Sequence, residues 1–173
     1  MSCSWNATSN ADGNQACDGG DSALGMEWYV NSNGGKVATE DSYPYIMADG
    51  YCKTDGLTTG AVMTNWTVLP SGDEDVMLQA LATYGPMSIS IDASHDSFGS
   101  YSSGVYDEPA CSSTNLDHAV AVIGAGVDEE SGKPYWLVQN SWSDNWGDDG
   151  YIRMVRGKNM CGIATEVAVA MVQ

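Results

Sequence analysis

A histidine and an asparagine that lie 22 residues apart constrain this chain more than any other feature of its sequence. The histidine stands in the stretch Leu116-Asp117-His118-Ala119, and the asparagine opens the stretch Asn140-Ser141-Trp142. A histidine works well as a base when a partner fixes its tautomer and direction, and an asparagine carbonyl can do so by accepting a hydrogen bond from one ring nitrogen. The other ring nitrogen is then free to take a proton from a thiol. The chain therefore has to fold so that His118 and Asn140 meet.

The composition narrows the class of protein. The chain has 173 residues, of which 43% are hydrophobic, so it can form a folded domain that buries about 70% of its unfolded surface. No apolar run approaches the roughly 18 residues that a membrane-spanning helix needs. The 23 acidic and 6 basic residues give a formal net charge of −17, which argues against nucleic acid as a partner because its phosphates would be repelled. This charge suits an acidic or saline compartment, a basic partner, or simply a well-solvated surface.

Five cysteines and two glycosylation sequons indicate the secretory pathway. The sequons are Asn6-Ala7-Thr8 and Asn65-Trp66-Thr67, so Asn6 and Asn65 are the predicted glycosylation sites. Met1 is followed by small and polar residues, so the first residues lack the pattern of a signal peptide. We therefore expect a mature or truncated chain from a lysosome-like or vacuole-like acidic compartment, or from the extracellular space.

Two helices are predicted from capping residues and hydrophobic periodicity. Ser22 can cap a helix over about 22–33. Ser71 and Glu74 have the spacing of a capping box, and they precede a second helix that Gly85-Pro86 would end. Apolar residues recur there at helical spacing, at Met77, Ala80, Leu81 and Tyr84.

The second half of the chain has the alternation typical of strands. Residues 36–70 have the composition of irregular coil with one or two short strands. After the second helix, strands are predicted at 88–92, 119–124, 135–139 and 151–155. Helices followed by strands indicate an α+β fold rather than a doubly wound sheet. We place a boundary near Leu69-Pro70, which predicts one domain over 1–69 and another over 70–173.

Short motifs along nearly the whole chain resemble the papain-like cysteine peptidases, and most of all the cathepsin L-type endopeptidases. Each motif is weak alone, whereas the ordered set is highly specific. The set is Gly13-Asn14, Cys17-Asp18-Gly19-Gly20, Asn33-Gly34-Gly35, Ser42-Tyr43-Pro44-Tyr45, Leu116-Asp117-His118-Ala119-Val120, Tyr135-Trp136-Leu137-Val138, Asn140-Ser141-Trp142, Trp146-Gly147, Gly150-Tyr151 and Cys161-Gly162-Ile163-Ala164. The resemblance implies a partial papain-like two-domain fold. It would comprise the remnant of a helical left domain and a β-barrel right domain, with an active site in the cleft between the two.

The resemblance assigns the chemistry to His118 and Asn140. His118 would be the base and acid of a Cys-His-Asn mechanism that hydrolyses a polypeptide substrate, Asn140 would orient it, and Trp142 would shield their hydrogen bond from water. The nucleophilic cysteine in this pattern lies about 130–150 residues before the histidine, which falls before Met1. We therefore expect the C-terminal portion of a cysteine endopeptidase that is inactive by itself. The alternative is a non-catalytic papain-like protein that serves as a structural or interaction subunit.

The same resemblance implies how the cysteines pair. Cys3 would pair with Cys52 and Cys111 with Cys161, and Cys17 would pair with the missing segment. That segment, which carries the central helix and the catalytic cysteine, could belong to a second chain linked through Cys17. Cys3 itself stands in a stretch that looks like the nucleophile signature. It lies only 115 residues before His118, however, and no helical pattern follows it, so we do not expect it to be the nucleophile.

Substrate-binding residues also follow from the resemblance. Gly19 and Gly20 would let the substrate backbone approach and form a short ladder, although a tight turn would require the same glycines. The other residues, most of them around the second substrate residue before the cut, would be Asp21, Ser22, Ala93, Leu116, Asp117, Ala119 and Glu166.

Two of these residues predict a preference for basic substrates. The carboxylates of Asp21 and Glu166 in a partly dry pocket would favour Arg or Lys, unless both belong to the generally acidic surface. Ser143 stands where the family usually has glycine, so its side chain would crowd the part of the cleft that binds residues after the cut. The resemblance implies no cofactor and no metal.

Overall fold

The computed structural model of the chain describes residues 14–15, 18–48, 53 and 55–173. The chain divides into two compact units, Met1–Thr67 with Ala170–Gln173, and Val68–Val169. The predicted residues Cys3, Asn6, Cys17 and Cys52 lie outside the described residues. Among the residues that the structure describes, no helix is long and apolar enough to cross a membrane. The division into domains over 1–69 and 70–173 stays a prediction.

The first unit contains helix α1 (Ser22–Ser32) and strand β1 (Lys36–Ala38), and strand β2 (Thr59–Val68) begins there. Strand β1 pairs antiparallel with β2. The predicted cap of α1 was wrong by one residue, because the side chain of Asp21 rather than Ser22 accepts a hydrogen bond from the backbone N of Ala23 at 2.7 Å. None of the residues of α1 is fully buried.

Strand β2 is longer than the sequence indicated. It covers ten residues, where only short strands were expected. Ala61 and Met63 are half-buried, whereas the residues that follow each of them, Val62 and Thr64, are exposed. Polar and small residues at the start of the strand obscure this alternation, so the sequence there is typical of coil.

The helices of the second unit are α2 (Glu74–Tyr84) and α3 (Asp96–Gly99), and a short 3-10 turn covers Met160–Gly162. The side chain of Asp73, not Ser71, caps α2 by accepting from the backbone N of Val76 at 2.9 Å. Gly85 ends the helix with a φ of 88°, which favours glycine. The short helix α3 has no periodicity of its own and was not predicted.

The strands of the second unit form a sheet in the order β8-β3-β5-β6-β7-β4. Strand β4 pairs parallel with β7, and the other neighbouring strands described here pair antiparallel. Their bounds are β3 Met87–Ile91, β4 Val105–Tyr106, β5 His118–Val127, β6 Pro134–Gln139, β7 Tyr151–Val155 and β8 Val167–Val172, the last of which begins in this unit.

The core of the second unit is formed by buried residues of the sheet, of both helices and of the 3-10 turn. Alternate residues of β3 are buried, as expected for a strand with one face toward the core. Fully buried residues from the helix and the strands include Met77, Ile89, Val122, Trp136, Ile152 and Val169. A disulfide joins Cys111 to Cys161 at the edge of this core.

Candidate active site

The sheet brings His118 and Asn140 together. His118 is the first residue of β5, and Asn140 directly follows β6. These two strands are antiparallel neighbours, with Ala121 opposite Gln139, so the start of one lies beside the end of the other. On its other side β5 pairs with β3, where His118 lies opposite Ile91. The histidine is therefore held by backbone pairing on both sides of its strand.

The two side chains make the contact that the sequence predicts. Nε2 of His118 lies 2.7 Å from Oδ1 of Asn140. Because an amide oxygen only accepts, Nε2 must carry the proton, and Nδ1 of the neutral ring has the free lone pair. Oδ1 of Asn140 also accepts from the backbone N of Ser141 at 2.7 Å, which fixes the orientation of the amide. The pair can thus hold one tautomer ready to accept a proton at Nδ1.

Trp142 covers this pair from one side. Its ring centroid lies 5.0 Å from that of His118, with the planes inclined by 34°. Its side chain remains 42% exposed, so one face meets the histidine while much of the rest faces solvent. A ring in this place would lower the local dielectric around the hydrogen bond and so strengthen it, and the shielding role of Trp142 stays a prediction.

Trp142 is supported by aromatic side chains for which no role in the site was predicted. Phe98, the single phenylalanine of the chain, is fully buried in α3 and packs edge-to-face on Trp142 at a centroid distance of 5.5 Å. It also lies 6.3 Å from His118 and 5.1 Å from Trp146. Trp146 was noted only as part of a motif. Nothing local in the sequence marks Phe98, because its contacts join residues that are far apart along the chain.

The turn before His118 is fixed by Asp117. The backbone N of Asp117 donates to the carbonyl of Ile91 at 3.0 Å, and its Oδ1 accepts from the backbone N of Ala93 at 2.8 Å. Leu116, next to it, is half-buried. Two of the predicted substrate-binding residues, Asp117 and Ala93, are therefore in direct contact.

Ala119 on β5 and Glu166, the residue just before β8, flank Ser90 of β3 on its two sides. Ala119 is opposite Ser90 in the register of β5 and β3, and the backbone N of Ser90 donates to the carbonyl of Glu166 at 3.2 Å. The side chains of Ala119 and Glu166 are exposed. The predicted substrate-binding residues of the second unit thus lie on or close to the ends of neighbouring strands, where β3 ends and β5 and β8 begin.

The predicted substrate-binding residues of the first unit lie around the start of α1. Gly19 has a φ of 105° and is exposed, and a Cβ on Gly20 would collide with the side chain of Asn14. Oδ1 of Asn14, a buried residue, accepts from the backbone N of Asp21 at 2.7 Å. Both glycines are thus required by the local backbone, and the carboxylate of Asp21 already serves as the cap of α1. Ser22 is the exposed first residue of that helix.

The loop after Trp142 contains an unusual backbone conformation. Ser143 has a φ of 68°, in the left-handed region that favours glycine. Its exposed side chain stands next to Trp142. The glycine usual in the resembling family would fit this conformation without strain.

Two cysteines lie among the described residues, Cys111 and Cys161, and their disulfide leaves neither of them as a thiol. Within the described part of the chain, the site therefore has a base and its orienting amide but no thiol.

Comparison with known proteins agrees with this geometry. The sequence profile of the papain family cysteine proteases matches residues 1–171. The chain belongs to the papain family of cysteine proteases. The resemblance stated from the motifs is thereby confirmed.

Several of the relatives are cathepsin L proteins. The chain is 50% identical to "Cathepsin L1" of Drosophila melanogaster over 163 residues, which cover 92% of this chain and 43% of that protein. It is 46% identical to "Cathepsin L2" of Homo sapiens over 160 residues, which cover 91% of this chain and 47% of that protein. The chain is therefore cathepsin L-like and spans about half the length of the curated relatives it matches.

Solved structures of the family share the fold. The bromelain protease from Ananas comosus, in complex with the E64 inhibitor, matches with a TM-score of 0.82 at 36% identity, over 92% of this chain and 73% of that chain. Digestive procathepsin L 3 from the larval midgut of Tenebrio molitor matches with a TM-score of 0.84 at 33% identity, over 98% of this chain and 53% of that chain. The predicted α+β class and partial papain-like fold are confirmed.

Proposed function

We propose that this chain supplies the proton-transfer half of a cysteine endopeptidase, with His118 as the base and acid and Asn140 as its orienter. The observation that carries the proposal is the 2.7 Å contact between Nε2 of His118 and Oδ1 of Asn140. This contact leaves Nδ1 unprotonated in the neutral ring. The nucleophile would be a cysteine thiol outside this sequence, on an upstream segment or on a second chain linked through Cys17.

The reaction would proceed in two displacements. Nδ1 of His118 takes the proton of the thiol, and the thiolate attacks the carbonyl carbon of the scissile peptide bond. The imidazolium then gives its proton to the departing amine, which leaves a thioester. In the second displacement His118 takes a proton from water, which attacks the thioester and releases the acid. The C–S bond breaks, and the imidazolium returns its proton to the departing thiolate. Asn140 accepts from the same ring nitrogen throughout, so the ring does not have to be reoriented between the steps.

Trp142 would keep this hydrogen bond strong during turnover. Its ring lies against the imidazole, and Phe98 supports it from the buried side. Water that reached the contact would compete for Oδ1 of Asn140 and release the ring. We expect removal of the indole to lower the rate without removing the base itself.

For the substrate, we propose a polypeptide with a basic side chain at the second position before the cut. The exposed Glu166 lies across Ser90 of β3 from Ala119, the neighbour of His118. A carboxylate there would pair with Arg or Lys. Activity on matched fluorogenic peptides with Arg or Leu at that position tests this, and a clear preference for Leu would rule it out.

The compartment is proposed to be the secretory pathway, in a lysosome-like acidic organelle or outside the cell. Asn65, in one of the two sequons, is exposed on β2 and so is accessible to glycosylation. A mass shift of the native protein on treatment with a glycosidase, located to the peptide that contains Asn65, would support this.

The test of the catalytic proposal uses the two histidines of the chain, His95 and His118, in the protein together with the segment that supplies the proposed thiol. The substitution His118→Ala should abolish peptide hydrolysis, by a factor of at least about 10³, because both proton transfers are lost. The matched substitution His95→Ala removes the same side chain from a position that has no role in this mechanism, and it should retain activity.

The outcomes separate the proposal from its alternative. If the unmodified protein neither hydrolyses peptides nor reacts with a thiol-directed peptide epoxide, the non-catalytic papain-like subunit becomes the better description. Equal loss of activity in both histidine variants would instead indicate a structural effect. The mass of the native material before and after reduction shows whether a second polypeptide is bound through a disulfide.

A further inference from the structure

Metal-ligating side chains outside the candidate active site cluster at the end of β3. A carboxylate oxygen of Asp92, a ring nitrogen of His95 and Sγ of Cys111 all lie within 4.8 Å of one another. Cys161 adjoins this group because it forms a disulfide with Cys111. All four residues belong to the second unit, and the proposed function uses none of them.

The backbone fixes the relative positions of these residues. Asp92 directly follows β3, and its backbone N donates to the carbonyl of Cys161 at 2.9 Å. Sγ of Cys111 lies 3.3 Å from the carbonyl oxygen of Asp92. His95 is the residue before α3, and its Nε2 lies 3.5 Å from Oδ2 of Asp92. Three segments of the chain thus present their side chains to one point.

The carboxylate of Asp92, whose residue is only 4% exposed, is held in place by hydrogen bonds. Oδ1 accepts from the backbone N and Oγ of Ser94 at 3.0 and 2.6 Å, and Oδ2 accepts from the backbone N of Ser112 at 2.6 Å. Such partners orient a carboxylate in the way that outer-shell hydrogen bonds orient metal ligands.

We propose that reduction of the Cys111–Cys161 disulfide creates a zinc site whose ligands are Cys111, Cys161, His95 and Asp92. Two thiolates, an imidazole and a carboxylate are the donors that zinc takes in tetrahedral sites, at about 2.0–2.3 Å from the metal. Ligand atoms of such a site lie about 3.3–3.8 Å apart, so the atoms of Asp92, His95 and Cys111, which are already within 4.8 Å of one another, need little movement. Cys161 is bonded to Cys111, and its sulfur would move away from that of Cys111 once the bond is broken.

A dithiol can serve as the reductant of this disulfide. The dithiol gives up two electrons and two protons to the Cys111–Cys161 disulfide and becomes a cyclic disulfide, while the protein gains two thiols. Zinc then displaces the two thiol protons and binds both thiolates. The metal would take over the cross-link between segments that the disulfide joins across 50 residues. The site would therefore be present in the reduced protein and absent from the oxidised one.

Residue-resolved alkylation tests the site in the full protein. The protein is reduced with a trialkylphosphine, which adds no competing thiol, and treated with iodoacetamide with and without one equivalent of zinc. Because the thiolate is the nucleophile in alkylation, a bound metal should slow the reaction of Cys111 and Cys161 by at least about tenfold. Cys3, Cys17 and Cys52 serve as internal controls and should react at rates that zinc does not change.

Two histidine variants separate ligation from general effects. His95→Ala removes a ligand and should weaken zinc binding by more than the roughly 10–100-fold that the loss of an outer-shell partner costs. His118→Ala, the same substitution at the other histidine, should leave the protection of Cys111 and Cys161 unchanged. Cobalt in place of zinc should give the absorption of a tetrahedral thiolate complex in the reduced parent protein and in His118→Ala, but not in His95→Ala.

Thermal unfolding of the parent protein tests the site without relying on the His95→Ala variant, which could fail to fold. Zinc should raise the midpoint of thermal unfolding of the reduced parent protein but not of the oxidised one. The proposal is overturned if the disulfide of the folded protein resists the phosphine. It is also overturned if zinc protects all five cysteines alike, or if it protects none of them. Protection that is as strong in His95→Ala as in the parent would likewise exclude the site.

Discussion

The two longer helices have the same length and the same kind of N-cap, but they differ in what surrounds them. Each has eleven residues and begins after an aspartate whose side chain accepts a backbone hydrogen bond. Helix α1 has no fully buried residue. Helix α2 buries Met77 and Ala80, and its first residue, Glu74, accepts three hydrogen bonds from residues far along the chain.

Tertiary contacts, rather than local signals, should therefore set the stability of these two helices. An isolated helix of fewer than about 12–15 residues is marginal in water even with good capping. Helix α1 therefore depends on half-buried side chains, whereas α2 is fixed both by apolar burial and by the carboxylate of Glu74. Matched substitutions in the two helices can test this difference.

The largest effect is expected at Met77, whose side chain is fully buried. Met77→Ala should lower the free energy of unfolding by about 2–5 kcal/mol, because it loses apolar burial and leaves a cavity. The control is Met26→Ala in α1, where the side chain is only half-buried and a smaller loss is expected. Urea unfolding followed by tryptophan fluorescence measures both, and equal losses would show that α1 is as well anchored as α2.

The next effect is expected at Glu74. Its Oε2 accepts from Nε1 of Trp136 at 2.8 Å and from the backbone N of Gly157 at 2.7 Å, and its Oε1 accepts from the backbone N of Asn159 at 2.6 Å. Glu74→Ala leaves these donors without their acceptor and should cost on the order of 3 kcal/mol.

Glu27→Ala in α1 is the matched control for this carboxylate. It should change the free energy of unfolding by less than about 0.5 kcal/mol, since the side chain of Glu27 makes no hydrogen bond or ion pair with the described part of the chain. A cost at Glu74 as small as that at Glu27 would mean that water replaces the lost acceptor without penalty. The same urea titrations measure both variants.

The sequence predicted α2 well because its signals are local. Helical spacing marked Met77 and Ala80, and both are buried. The cap was misplaced because Ser71 and Asp73 are both capping residues, and only the backbone shows a turn at Gly72, with a φ of 80°, before the helix. The role of Glu74 as an acceptor could not be predicted, since its donors lie 62 to 85 residues away.

In the candidate site, too, the residues in local motifs were predicted and those brought together from distant segments were not. His118 and Asn140 were found because each stands in a short motif of its own. Phe98 was missed because a single phenylalanine in a four-residue helix has no pattern. The cluster of Asp92, His95, Cys111 and Cys161 was missed for a related reason: its members come from three segments whose spacing resembles no metal-binding motif.

A smaller effect is expected when the N-cap side chains are removed, and both helices should lose about the same local stability. Asp21→Ala and Asp73→Ala each remove one hydrogen bond to a backbone N, which should cost about 1 kcal/mol locally. Hydrogen–deuterium exchange of the peptides that contain the first turn of each helix measures this. A much larger effect at Asp21 than at Asp73 would show that α1 is held chiefly by its cap.

The smallest effect is expected from helix propensity, and it should show whether each helix unfolds together with the core. Asn31→Ala in α1 and Thr83→Ala in α2 replace exposed residues near the helix ends and improve helix propensity by about 0.5 kcal/mol each. In α2 the gain should appear in the urea midpoint, because this helix opens with the core. In α1 it should appear only as slower amide exchange, because a helix without buried residues opens before the core does. A midpoint that shifts equally in both variants would mean that α1 unfolds together with the core, and burial would then not explain the difference between the helices.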